Sequence, residues 1–145
     1  MDIEKYLLNL LSSKVYTRRE LMKKLLARKD DEDQIEELLD LYEDYGYIDD
    51  LAYAKLYMNS HSHWGRRKIT DQLRIRGVPP VKIERAFQEI GFDESVSALS
   101  LAKNWFDLGF SRERIYSRLL SRGFMNETVR NAVYNACEDN RRKVK

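Results

Sequence analysis

The chain has 145 residues, 43% of them hydrophobic and 34% charged, with 2 prolines and 6 glycines, a balance that excludes a disordered or loop-dominated protein and favours helix. No apolar run approaches the roughly 20 residues a bilayer span needs. The net charge of +2 conceals a polarity: residues 1–50 carry −6, residues 51–92 carry +5 and residues 93–145 carry +3, which suits docking on a surface that alternates in charge or bears phosphate. The lone Cys137 cannot form an internal bridge and the first residues lack a secretory pattern, so a cytoplasmic location is expected.

Asp2 caps a first helix to about Leu11, with Ile3, Tyr6, Leu7, Leu10 and Leu11 at helical spacing. Thr17-Arg-Arg-Glu20 is a capping box, in which hydroxyl and carboxylate each accept an orphan backbone N–H, and it opens a helix to about Arg28. Asp31 caps a third helix, whose stripe is Ile35, Leu38, Leu39 and Tyr42 and which ends at Gly46. Asp49 or Asp50 caps the fourth, which buries Tyr53, Ala54, Tyr57 and Met58 before Trp64-Gly65 turns the chain. The fifth ends at Gly77. Pro79-Pro80 opens the sixth, with Val81, Ile83, Ala86, Phe87 and Ile90, and Gly91 closes it. Asp93 caps the seventh, through Leu99, Ala102, Trp105 and Phe106 to Gly109. Ser111 caps the eighth, Gly123 ends it, and the ninth spans about Asn126 to Glu138, leaving a basic tail, 141–145, that is expected to fray.

The same pattern occurs three times. Arg18, Leu21, Leu25 and Arg28, followed by Ile35, Leu38 and Leu39, return 48 residues later as Arg66, Ile69, Leu73, Arg76, Ile83, Ala86 and Phe87. They return 46 residues further on as Arg112, Ile115, Leu119, Arg122, Val129, Ala132 and Val133. A period of this size marks stacked supersecondary units. The expected division is 1–48 (acidic), 49–92 (basic), 93–140 (basic) and the tail 141–145.

A three-helix unit with short turns resembles helix-turn-helix modules in outline, so nucleic-acid binding has to be weighed. On the fifth helix Arg67, Asp71 and Arg74 share a face, while Arg66, Ile69, Leu73 and Arg76 run toward the core boundary. On the eighth, Arg114, Arg118 and Arg122 form a stripe unbroken by acid. The matching slots hold Lys68, Gln72 and Arg76 in the second repeat but Glu20, Lys24 and Arg28 in the first. A cationic ribbon is therefore expected over the second and third repeats, weakening in the first, with affinity for phosphates or an acidic protein groove.

Catalytic and metal chemistry find little support. His61 and His63 stand two apart and diverge on a helix, Cys137 lacks an activating neighbour in sequence, and the glycines occur singly rather than in a phosphate-binding loop. The tyrosines Tyr6, Tyr42, Tyr53 and Tyr57 fall on apolar stripes, which favours packing over base stacking. No catalytic residue, metal or cofactor is expected.

Gly46-Tyr47-Ile48-Asp49-Asp50, then Tyr53-Ala54, then Gly65-x-x-Lys68-Ile69-x-x-Gln72-Leu73-x-x-Arg76-Gly77-Val78 resemble the RecX regulatory proteins, which modulate the RecA recombinase. The third copy matches more loosely through Ile115, Leu119, Arg122, Gly123 and Phe124. The resemblance covers nearly the whole chain. It implies an all-α chain of three tandem three-helix repeats in an elongated, curved array that binds the groove of the RecA filament on DNA. It also implies restraint of RecA's ATP hydrolysis, strand exchange and co-protease activity. Two departures stand out: His61 lies near a position where the family commonly has a cation, and Gln72 replaces a glutamate. The expected contacts are Arg66, Arg67, Lys68, Arg74 and Arg76, then Arg114, Arg118 and Arg122. The expected partners are the RecA filament and single- or double-stranded DNA, with no membrane and no small-molecule substrate, for a monomeric chain. The competing readings are a helical DNA-binding module independent of RecA and, with least support, an enzyme using the histidines or Cys137.

Overall fold

The computed structural model describes residues 2–28 and 30–144, the side chains of 140 and 142–144 excepted. Among the described residues there are nine helices and no strand: α1 (Ile3–Ser13), α2 (Arg18–Leu26), α3 (Glu32–Asp44), α4 (Asp50–Ser60), α5 (Arg66–Ile75), α6 (Pro80–Ile90), α7 (Glu94–Asp107), α8 (Arg112–Ser121) and α9 (Asn126–Val144). In chain order they form the triplets α1–α3, α4–α6 and α7–α9 that the sequence period requires.

Helix starts follow capping chemistry. Asp2, Asp31 and Asp93 accept the N–H of Lys5, Asp33 and Ser95, and Ser111 accepts that of Arg114. At α2 the capping box is complete: Thr17 accepts the Glu20 N–H at 3.1 Å, and Glu20 Oε1 accepts the Thr17 N–H at 2.9 Å.

The C-terminal end departs from expectation. Helix α9 continues to Val144 instead of stopping near Glu138. Beyond Asn126 the chain has neither glycine nor proline to interrupt the hydrogen-bond ladder. The Lys103–Asp139 ion pair, 2.7 Å, fastens this part of α9 to α7.

The chain divides into two compact units, one of Met1–Tyr57 with Leu73–Ile90 and one of Met58–Gln72 with Gly91–Lys145, so the division passes within α4 and α5. In the first unit Leu7, Tyr16, Leu21, Leu25, Ile35, Leu39, Tyr42 and Ile48 form a core cluster. Leu73, Ile83, Ala86 and Phe87 are buried there too. In the second unit the cluster is Ala98, Ala102, Trp105, Ile115, Leu119, Phe124, Val129, Ala132, Val133 and Ala136. The repeated pairs Leu21/Leu25, Ile69/Leu73 and Ile115/Leu119 are all fully buried. Each such side chain contributes about 1.5–3 kcal/mol of hydrophobic stabilisation, so the recurring apolar positions are a core pattern.

Candidate functional site

The middle helix of a repeat begins against a later segment of chain, and the same joint is built twice. In the first unit the Thr17 hydroxyl donates to the Arg76 carbonyl at 2.7 Å, and Asp50 Oδ1 accepts the Arg18 N–H at 2.9 Å. In the second unit the Gly65 N–H donates to the Arg122 carbonyl at 2.8 Å, and the Arg67 N–H to the Gly123 carbonyl at 3.0 Å. There Glu94 stands where Asp50 stands in the first unit. Its Oε2 accepts the Arg66 N–H at 2.8 Å, while Oε1 accepts the Met125 N–H at 3.1 Å and the Thr128 hydroxyl at 2.9 Å. Each carboxylate satisfies an orphan donor at the positive end of a helix.

These joints account for several motif residues. A Cβ on Gly65 would overlap the backbone of Gly123 and Phe124. Gly77 has φ +93°, and its α-carbon lies against the Arg19 stem. Asp49 caps α4 by accepting the Ala52 N–H at 3.0 Å. Asp50, the other expected cap of that helix, is buried instead and caps α2 from outside. Burial pushes the Asp50 carboxyl up from its ordinary value, opposed by the Arg18 N–H and by Lys82. Gly46, at φ +86°, ends α3 and leads to exposed Tyr47 and buried Ile48.

Cations stacked on aromatic rings recur beside the middle helices. The aromatic two residues before the repeated arginine, Tyr16, Trp64 or Phe110, carries Lys14 and Lys24 at 4.8 and 5.5 Å, Lys68 at 4.2 Å, or Arg114 and Arg118 at 3.9 and 4.9 Å. The arginine at the far end of the pattern, Arg28, Arg76 or Arg122, lies over Tyr6, Tyr57 or Trp105 at 4.8, 5.0 and 5.3 Å. The terminal arginine is therefore held inside each repeat by cation–π attraction, worth about 0.5–1 kcal/mol at an exposed site. Its spacing in sequence reports structure as much as binding.

The candidate contacts separate accordingly. Arg67, Arg74, Arg114 and Arg118 are exposed, whereas Arg66, Lys68, Arg76 and Arg122 are half-buried. Arg76 is the most committed: NH1 donates to the Tyr53 hydroxyl at 3.1 Å and lies 4.0 Å from Glu20. Tyr53 and Tyr57 are half-buried, their rings stacked at 6.4 Å, so they hold Arg76 rather than fill the core. In the second unit the Gly65 and Arg67 hydrogen bonds bring the start of α5, with Arg66, Arg67 and Lys68, against Arg122. From there Arg118 and Arg114 lead along α8 over the stacked rings of Trp105 and Phe110, 6.3 Å apart. Among the described residues, no ion pair engages Arg114, Arg118 or Arg122.

Sequence reading missed Glu94 and the aromatic platforms. Tyr16, Trp64 and Phe110 keep the 48- and 46-residue offsets of the repeat, a signal that was present in the chain. His61 and His63 follow α4 in a turn, and His61 packs on Trp64 with ring centroids 4.1 Å apart. Among the described residues, no three His, Cys, Asp or Glu side chains gather in a metal-holding group, and no helix is long and apolar enough to cross a membrane.

No family model matches the chain. The regulatory protein RecX of Thermus thermophilus is 37% identical over 95 residues, 65% of this chain and 66% of that protein, so this match spans about two thirds of the relative's length. The crystal structure of RecX from Lactobacillus salivarius superposes with a TM-score of 0.81 at 23% identity, covering 92% of this chain and 94% of that one, and shows the shared fold. The regulatory protein RecX of Chromohalobacter salexigens is 34% identical over 140 residues, 92% of either chain, and with the nine-helix fold this places the protein in the RecX family of regulatory proteins.

Proposed function

We propose that the chain is a non-enzymatic regulator that docks in the groove of the RecA–DNA filament and restrains ATP hydrolysis, strand exchange and co-protease activity. The observation that supports it, beside family membership, is the α8 surface. Arg114 and Arg118 are exposed, backed by the rings of Phe110 and Trp105, and engaged by no carboxylate among the described residues. A guanidinium stacked on an aromatic ring is preorganised and keeps its edge donors for a partner's carboxylates or phosphates. Arg67 adds exposed charge in the same unit, where Arg66, Lys68 and Arg122 are half-buried and held by local contacts; exposed Arg74 and half-buried Arg76 belong to the first unit. The repeats at 1–48, 49–92 and 93–140, with the terminal 141–145, act in this reading as successive modules of one monomeric, cytoplasmic chain, each adding modest contacts.

Titrating the purified chain into RecA on single-stranded DNA while following ATP hydrolysis tests the reading. Inhibition that saturates near stoichiometric ratios is expected. No effect at several-fold excess over RecA sinks it. The unpaired guanidiniums also suit phosphates, which keeps a DNA-binding module acting without RecA as the second reading. That reading requires tight, steeply salt-dependent binding to bare DNA.

A further inference from the structure

The acidic N-terminal repeat gathers four of its cations in one place. In the first unit a cleft of about 770 Å³ is lined by Lys14, Arg19, Lys23, Lys24 and Arg76 around Tyr16, Ala27 and Ile75. Glu20 is the one carboxylate among the lining residues, and it is engaged: Oε1 accepts the Thr17 N–H at 2.9 Å, and Oε2 faces Arg76 at 4.0 Å. The ammonium groups of Lys14 and Lys24 share the Tyr16 ring, at 4.8 and 5.5 Å from its centroid. Arg76 Nε is buried with no acceptor among the described residues. Two acids of α3, Asp40 and Glu43, pair with Arg18, which does not line the cleft.

Five cations facing one occupied carboxylate across a concave surface repel one another, and a concave wall focuses their field on whatever enters. We infer that this cleft binds clustered phosphate groups, carried either by the polyphosphate of a nucleotide or by successive phosphodiesters of a nucleic-acid strand. Its volume falls within the range of small-ligand sites, about 300–1,000 Å³. Lys24 and Arg76 occupy slots of the expected ribbon, whereas Lys14, from the loop before α2, and Arg19 and Lys23, from α2, lie off them. Arg19 belongs to α2 and Arg76 follows α5, so an anion held between them reinforces the joint already made by the Thr17 hydroxyl and the Arg76 carbonyl.

The test uses the full chain without RecA, which keeps its outcome separate from that of the filament reading. Inorganic tripolyphosphate and a short oligothymidine are titrated in turn, at low and at physiological salt. The variant carrying Lys14→Gln, Lys23→Gln and Lys24→Gln retains the side-chain stems but loses the charges. It is expected to bind at least about tenfold more weakly, and its log–log salt slope for the oligonucleotide is expected to fall by about 2. The Lys5→Gln variant, which removes an exposed cation outside the cleft, is expected to bind these probes as the wild type does. Tripolyphosphate bound more tightly than oligothymidine assigns the site to nucleotides, and the reverse order assigns it to a strand. As a readout on the unaltered chain, tripolyphosphate protects Lys14, Lys23 and Lys24 from acetylation while Lys5 continues to react. No binding of either probe, equal affinity in the triple variant, or uniform lysine reactivity overturns the inference.

Discussion

Asp50 Oδ1 accepts the backbone N–H of Arg18 at 2.9 Å across 32 residues of chain, so the first residue of α4 caps the start of α2. The contact sits where one sequence repeat follows another, and Glu94 repeats it on Arg66 in the second unit. Asp50→Ala is expected to destabilise the protein by about 1–2 kcal/mol, the usual loss for a helix cap. Asp50→Asn keeps an acceptor oxygen and removes the buried charge. The folded-state value of Asp50 lies above the ordinary carboxylate value, chiefly through desolvation, so the ionised form opposes folding at neutral pH and that penalty fades as pH falls through the folded value. Urea unfolding should therefore find Asn at least as stable as Asp at pH 7, with any advantage shrinking toward pH 4. A large loss for Asn at pH 7 would show that the ionised form stabilises the joint.

Sequence reading located the three triplets of helices, nearly every cap and the buried Leu and Ile pairs, because these rest on local periodicity and on donors within a few residues of their acceptors. What depends on partners distant in the chain was not legible in it. Asp49 and Asp50 are adjacent and chemically alike, and no local rule tells that one caps its own helix while the other reaches Arg18. The repeated arginines looked like one class of contact. Arg28, Arg76 and Arg122 instead lie on first-helix aromatics whose spacing varies from repeat to repeat, which hides them from a fixed period. Lys14 and Lys23 lie outside the repeated pattern, and only the fold gathers them with Arg19 and Arg76.

Gly65 and Gly46 are expected to fail for different reasons. Alanine at 65 inserts a methyl group into the backbone of Gly123 and Phe124, which forces the second-unit joint apart at about 1–3 kcal/mol. Hydrogen exchange should then show weaker protection of the amides of residues 65 and 67, whose acceptors are the Arg122 and Gly123 carbonyls. At Gly46 the added methyl meets nothing within 4 Å, and only the φ of +86° opposes it, a penalty of about 1–2 kcal/mol with no change at residues 65 and 67. Equal protection patterns in the two variants would contradict the steric account.

Tyr42 gives a second pH signature. Its hydroxyl donates to Glu4 Oε1 at 2.7 Å, and this hydrogen bond, with burial, pushes the phenol up to about 12. A raised folded-state value means that the contribution to stability is intact below the ordinary phenol value near 10 and is lost as pH rises through about 12. Absorbance titration of the tyrosines should show one late-ionising group that Glu4→Ala moves back toward 10, with a stability loss of about 1 kcal/mol at neutral pH. A late step that survives Glu4→Ala would assign it to another phenol.

The filament reading turns on separating the two exposed guanidiniums of α8 from the arginine beyond them. Arg114 and Arg118 are exposed over Phe110 and Trp105, whereas Arg122 is half-buried and its carbonyl receives the Gly65 N–H. Arg114→Ala with Arg118→Ala should leave helical content intact and lower stability by no more than about 1–2 kcal/mol, the summed cation–π loss. Filament affinity, read from the concentration giving half-maximal ATPase inhibition, should fall tenfold or more, since each desolvated charge pair at an interface is worth roughly 1.5 kcal/mol or above. Arg122→Ala should show the opposite balance, with a larger share of its effect in stability. Lysine at 114 and 118 keeps the charge and loses the planar fork, so partial rescue is expected if the partner groups are carboxylates or phosphates. Unchanged inhibition by the double alanine variant would move the docking face away from α8.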